Sequence, residues 1–270
     1  MAKIESLASV GIFTKDQRKA REFYTKRIGL VVRDAMPKSG YLELGARKRG
    51  TDAGMTVWKP DPRWGADYDA GMRSIGTVTG LGFHTDSVDR TVEMFKKRRV
   101  KHEIAADEED RYVRFQDSDG NTSFAFESSR PKTHRGGLTR LAFITIVVRD
   151  LARAEAFFTG VLGLQRVRRK GDEYTTYRVR PGGTVLMPFI PNREMYEDPA
   201  DYDADVAHTG ENTSIMFATR DLVELQDELM ARGVRFSRKA QMEEWGGMHA
   251  KFLDPDDNVY SVIEPRPKAR

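Results

Sequence analysis

The residues of this 270-residue chain best suited to acid–base or metal chemistry are five histidines, His84, His102, His134, His208 and His249. Imidazole alone among unperturbed side chains changes charge between about pH 5 and 8. They are scattered, with no His-x-x-x-His pair or similar ligand cluster. Cysteine is absent, which removes thiolate nucleophiles, thiolate ligands and disulfides together. A general acid or base would come from His84, His249, Asp172 or Glu173, none with a partner that the sequence supplies. The carboxylates of the twice-occurring pentapeptide ADYDA, Asp67 and Asp69, then Asp201 and Asp203, stand at i and i+2, so they do not face one another on a helix. That segment reads as a structural loop or helix start. The stretch Arg180–Thr184, RPGGT, reads as a turn, and no Gly-rich phosphate loop is present.

Charge narrows the partners. Lys and Arg number 45 against 41 Asp and Glu, a mixed surface with net charge +4. The basic clusters Arg47–Arg49, Lys96–Arg99 and Arg166–Lys170 read as solvated faces, so nucleic acid is not an expected partner. No apolar run approaches the roughly 18 residues that span a bilayer, and no secretory leader is legible at the start, so no membrane is expected and a cytoplasmic location is.

Elements must position whatever chemistry there is, and here the sequence repeats. ADYDA recurs at a spacing of 134 (200 − 66), and the same offset sets Asp16 on Asp150, Phe23-Tyr24 on Phe157-Phe158 and Gly29-Leu30 on Gly163-Leu164. Later the offset becomes 137, setting FQDSDGN (115–121) on FLDPDDN (252–258). Each half holds two strand–helix openings, each followed by strand-like runs. The spacing predicts an α+β chain of four βαβββ modules in two domains, 1–129 and 138–270, joined by a polar Pro/Gly linker at 130–137.

Short strand, Asp, helix with Phe-Tyr, then an LGL-like segment and later F-DP-D-GN resembles the vicinal oxygen chelate superfamily of glyoxalases, extradiol dioxygenases and bleomycin resistance proteins. The resemblance covers nearly the whole chain and implies two tandem glyoxalase-like domains with curved mixed sheets. In its enzymes, His, Gln or Glu from four strands hold a divalent metal. The corresponding places here are Ser9 and Phe143, Gly80 and Ser214, Phe124 and Ser261, and the neighbourhoods 55–57 and 184–186. None holds His or Glu, and hydroxyls are poor ligands for a desolvated divalent ion. No metal and no other cofactor is therefore expected. His84, four residues after Gly80, shares a strand face with that place and reads as a pocket or edge histidine without metal. Glu127 and Glu264 alternate to the opposite face and read as surface residues.

Phe124 and Phe143, with Trp58, Met187 and Trp245 or Met248 nearby and with Ser214, Ser261 and His84 for orientation, would line an apolar or aromatic cavity, unless they fill the interior. The leading expectation is metal-independent binding of a small aromatic or apolar molecule, as in bleomycin-type resistance proteins, by a monomeric pseudo-dimer or a homodimer. Two alternatives stand beside it. One is a cofactor-independent isomerase or lyase using His84 or His249; the other is an interaction module.

Overall fold

The computed structural model describes residues 3–106, 111–128, 136–170, 174–196, 199–207 and 209–266. Most of the 130–137 linker, together with Asp172, Glu173, His134 and His208, lies outside them. Four βαβββ modules follow one another, as expected. The first is β1 (Ser6–Phe13), α1 (Gln17–Glu22), β2 (Val31–Met36), β3 (Tyr41–Gly45) and β4 (Gly54–Trp58). After α2 (Ala66–Arg73) comes the second: β5 (Val78–Thr85), α3 (Val88–Lys97), β6 (Lys101–Ala106), β7 (Arg111–Gln116) and β8 (Thr122–Glu127). The third is β9 (Leu138–Val147), α4 (Leu151–Glu155), β10 (Gln165–Lys170), β11 (Tyr174–Arg178) and β12 (Val185–Phe189). After α5 (Pro199–Ala207), the fourth is β13 (Asn212–Ala218), α6 (Leu222–Ala231), β14 (Phe236–Met242), β15 (Met248–Leu253) and β16 (Val259–Glu264). ADYDA opens α2 and lies inside α5, a structural role in both copies.

The strands form two mixed eight-stranded sheets, ordered β14-β15-β16-β13-β1-β4-β3-β2 and β10-β11-β12-β9-β5-β8-β7-β6. Two compact units emerge, residues 11–144 and residues 1–10 with 145–270, so the divisions fall inside β1 and β9. Among the described residues no helix is long and apolar enough to cross a membrane.

The recurring aspartates turn out to be caps and clamps. Asp16 accepts from the amides of Arg18 and Lys19 at 3.0 and 3.1 Å, and Asp150 from Ala152 and Arg153 at 2.7 and 3.0 Å, satisfying donors that the first helical turn leaves open. Both helices continue into a π-helical turn, Phe23–Ile28 and Ala156–Val161, which buries the aromatic pair of each copy. Gly29 ends the first in the left-handed region (φ 92°) that glycine enters without a Cβ penalty.

In the FQDSDGN turn, Asp117 accepts from the amides of Asp119 and Asn121 and from the Tyr24 hydroxyl, while Asn121 reaches the Phe13 carbonyl at 2.8 Å. Asp254 and Asn258 repeat this, Asn258 reaching the Val147 carbonyl at 3.0 Å. The phenol there comes instead from Tyr260, at 2.9 Å. Burial pushes the Asp254 carboxyl up against hydrogen bonds that lower it, and burial beside the carboxylates keeps both phenols protonated as donors.

Glu127 and Glu264 turn to the helix side, Glu127 exposed and Glu264 half-buried, and there they also accept from the first amides of α3 and α6, Val88 at 2.9 Å and Leu222 at 3.0 Å. They are helix caps that close each module on itself.

Candidate functional site

Strand alternation gives each module an inner and an outer chemistry. In the unit of residues 11–144, Phe83, Val113, Phe115 and Ala125 are buried on one face, where Phe115 meets Phe95 of α3 at 5.2 Å between ring centroids. The opposite face carries two cross-strand rows. One runs Phe143, Gly82, Phe124, Arg114; the next runs Arg140, His84, Phe126, Tyr112. Four half-buried rings meet there: Tyr112 stacks on Phe126 at 4.8 Å, and Phe126 lies 5.3 Å from Phe143 and 6.4 Å from Phe124. They stay outside the fully buried core, whose rings are other aromatics packed among aliphatic side chains.

Gly82 makes this cluster possible. A Cβ there would come within 2.1 Å of the Phe143 ring, which lies across the bare backbone. His84 stands between Phe126 and Arg140 in register, a half-buried polar group at the edge of an aromatic surface.

The unit of residues 1–10 and 145–270 carries the same rows with different side chains. Ser9, Met216, Ser261 and Lys251 replace Phe143, Gly82, Phe124 and Arg114 in the first row. The second runs Ser6, Ala218, Ile263, His249. His249 thus takes the place of Tyr112, and its Nε2 lies 3.1 Å from the Ser261 Oγ, while Nδ1 lies 3.5 Å from the Glu243 Oε1 in the β14–β15 loop. Arg238 donates to the same Glu243 oxygen. Burial first, and then the charge of Arg238, bring the imidazole down to about 4, against the raising effect of Glu243. It is neutral at pH 7.

The other expected site residues fall in several places. Phe124, Phe143 and His84 share one face, and Ser261 joins His249. Trp58 lies on the other sheet, in β4, where it meets Tyr41 and Trp64 at 5.7 and 6.1 Å and donates to Thr56. It is no part of the Phe124–Phe143 cluster. Met187 is half-buried on β12, Met248 opens β15, and Trp245 sits exposed in the β14–β15 loop with its ring over Gly247. Ser214 holds a positive φ of 55°, as Gly80 does at 68°, at the matching interruptions of the β13/β16 and β5/β8 ladders. Sequence reasoning missed Tyr112, Phe126 and Glu243. Phe126 was findable as the same-face neighbour two residues after Phe124; Glu243 depends on a loop conformation that no periodicity reports.

The places where the resemblance puts metal ligands do not fit a divalent cation. They hold rings, hydroxyls, glycine, aliphatic side chains and the Met55 thioether, and among the described residues no group of three or more His, Asp or Glu converges. A separate cleft of about 840 Å³, between the start of β1, the Val161–Gly163 turn and α6, has charges that answer one another, Arg220 with Glu5 at 3.0 Å and Arg232 with Glu228 at 3.7 Å.

Paired βαβββ modules with a side-chain-bearing face on each mixed sheet define a glyoxalase-type fold. The family model for the Glyoxalase/Bleomycin resistance protein/Dioxygenase superfamily matches residues 6–123 and 140–262, and the chain belongs to that superfamily. Glyoxalase I from Zea mays is similar in structure, with a TM-score of 0.67 at 16% identity over 98% of this chain and 92% of that one. A superfamily member from Sphaerobacter thermophilus is 28% identical over 46% of this chain and 95% of its own, with a TM-score of 0.39. TnmS3, an antibiotic binding protein from Streptomyces sp. CB03234, is 22% identical over 47% of this chain and 98% of its own, with a TM-score of 0.39. No curated protein matches the sequence.

Proposed function

We propose that the chain binds a small aromatic or apolar molecule, without a metal, on the face formed by Tyr112, Phe124, Phe126 and Phe143. The observation that carries this reading is the cluster itself. Four rings in contact on the face turned away from the α3 core keep part of their area open, and aromatic faces of this kind stack planar ligands. His84, in register between Phe126 and Arg140, supplies a polar group at its rim to orient a heteroatom. The superfamily scaffold hosts many chemistries, so the argument rests on the site and not on the fold.

A fluorescence or calorimetric titration against a panel of planar aromatic compounds, run with and without chelator, tests it. Saturable binding, indifferent to chelator and weakened at least about tenfold by Phe126→Ala, roughly the 1.4 kcal/mol a lost stacking contact is worth, is the expected result. Binding that needs an added divalent ion, or that Phe126→Ala leaves unchanged, overturns it. Turnover of a bound compound would favour the cofactor-independent enzyme instead.

A further inference from the structure

We propose that Ser261, His249 and Glu243 form a serine nucleophile site that hydrolyses small carboxylic esters, separate from the aromatic face. The arrangement has the three parts such a site needs: a hydroxyl, a base within hydrogen-bond reach, and a third group orienting the base. Ser261 Oγ and His249 Nε2 are 3.1 Å apart, and Glu243 Oε1 lies 3.5 Å from Nδ1. A carboxylate on Nδ1 keeps the proton there, leaving Nε2 to accept from the serine hydroxyl. Lys251 stands directly across the ladder from Ser261 on the same face, bringing positive charge to where an oxyanion would develop. His249 and Glu243 keep 15% and 20% of their side-chain surface, so the group is screened from bulk water without being sealed.

Comparison within the chain sharpens the assignment. The first copy places Phe124 and Tyr112 where the second places Ser261 and His249. A phenyl and a phenol in ring contact are thus replaced by a hydroxyl and an imidazole within hydrogen-bond reach.

In the reaction, His249 takes the Ser261 proton as Oγ bonds to the acyl carbon. The bond from that carbon to the alcohol oxygen then breaks, and the alcohol leaves with the proton from His249. Water attacks the acyl-serine, again giving its proton to His249, and the acid departs as Ser261 recovers its hydrogen. The charged groups facing the imidazole are Arg238, Glu243 and Lys251, and with burial they hold it at about 4. Such a base is weak, so turnover is slow and trapping is the better readout. The same value sets the acid limb of reactivity near pH 4, and Arg238→Gln, by removing a depressing charge, moves that limb upward.

The test is labelling of the full chain with a fluorophosphonate, in which the serine oxygen bonds to phosphorus and fluoride leaves, followed by intact-mass and peptide mapping. One adduct on Ser261 is expected, absent from Ser261→Ala with its melting temperature unchanged, and formed at least about tenfold more slowly in Glu243→Gln. No adduct on the folded wild-type chain, an adduct on another residue, or a rate insensitive to Glu243→Gln overturns the proposal.

Discussion

At the scale of single residues, Gly82 and His249 carry the sharpest consequences. Any side chain at 82 would collide with the Phe143 ring, which Phe126 backs at 5.3 Å. Gly82→Ala therefore displaces that ring, lowering stability by about 1–3 kcal/mol as overpacking does. In a denaturant titration the midpoint falls, and affinity for an aromatic ligand falls with it; an unchanged midpoint would mean that the ring yields freely. His249 bears on pH. Its pKa is about 4 in the folded chain against 6.5 for the free side chain, so between those values the unfolded state holds the extra proton. Stability from this residue is full above pH 6.5, declines as pH falls toward 4 and is level below that. His249→Gln flattens this stretch of the stability–pH curve, a change that thermal melts at intervals across pH 4–7 would detect.

At the scale of elements, the two copies of the clamp at the final turn reach one geometry by different residues. Tyr24 donates to Asp117 from the π-helical turn; its counterpart Phe158 cannot, and Tyr260, on β16 where the first copy has Ser123, donates to Asp254. Tyr260→Phe leaves a buried carboxylate oxygen short of one donor and costs about 1–3 kcal/mol, measurable by equilibrium unfolding. Phe158→Tyr added to it restores stability only if the first copy's route is geometrically open to the second. Here the sequence is legible in part. The motif aspartates, the strand–helix order and the sheet face taken by Phe124, Phe143 and Ser261 follow from alternation and repeat offset, which depend only on local periodicity. The partners do not. Tyr260, Glu127 as the cap of α3 and Glu243 beside His249 act across loops or between elements, where distance is set by packing. Trp58 went astray for the same reason: its own strand face is readable, but which sheet β4 joins is not.

At the scale of the whole molecule, the repeat specifies how many modules there are and leaves open where a compact unit ends. Ser6–Val10 pairs with β13, and Ile4, Leu7 and Val10 are buried, so the first ten residues fold with residues 145–270. A fragment cut at the boundary the repeat suggests, 138–270, leaves β13 without its β1 neighbour and β9 without β5, with backbone donors and acceptors open along both. That fragment is expected to lose cooperative melting, while the same fragment with residues 3–10 joined by a flexible linker regains the β1–β13 pairing and melts cooperatively. The proposed site offers an independent readout, because Ser9 and Ser6 complete the rows that hold Ser261 and His249, and fluorophosphonate labelling should return with the added strand. Thermal melts and labelling on the two fragments decide the matter. If 138–270 alone melts cooperatively and labels at Ser261, then the first strand is an accessory to that unit; if both properties require residues 3–10, the start of the chain is part of the site's architecture.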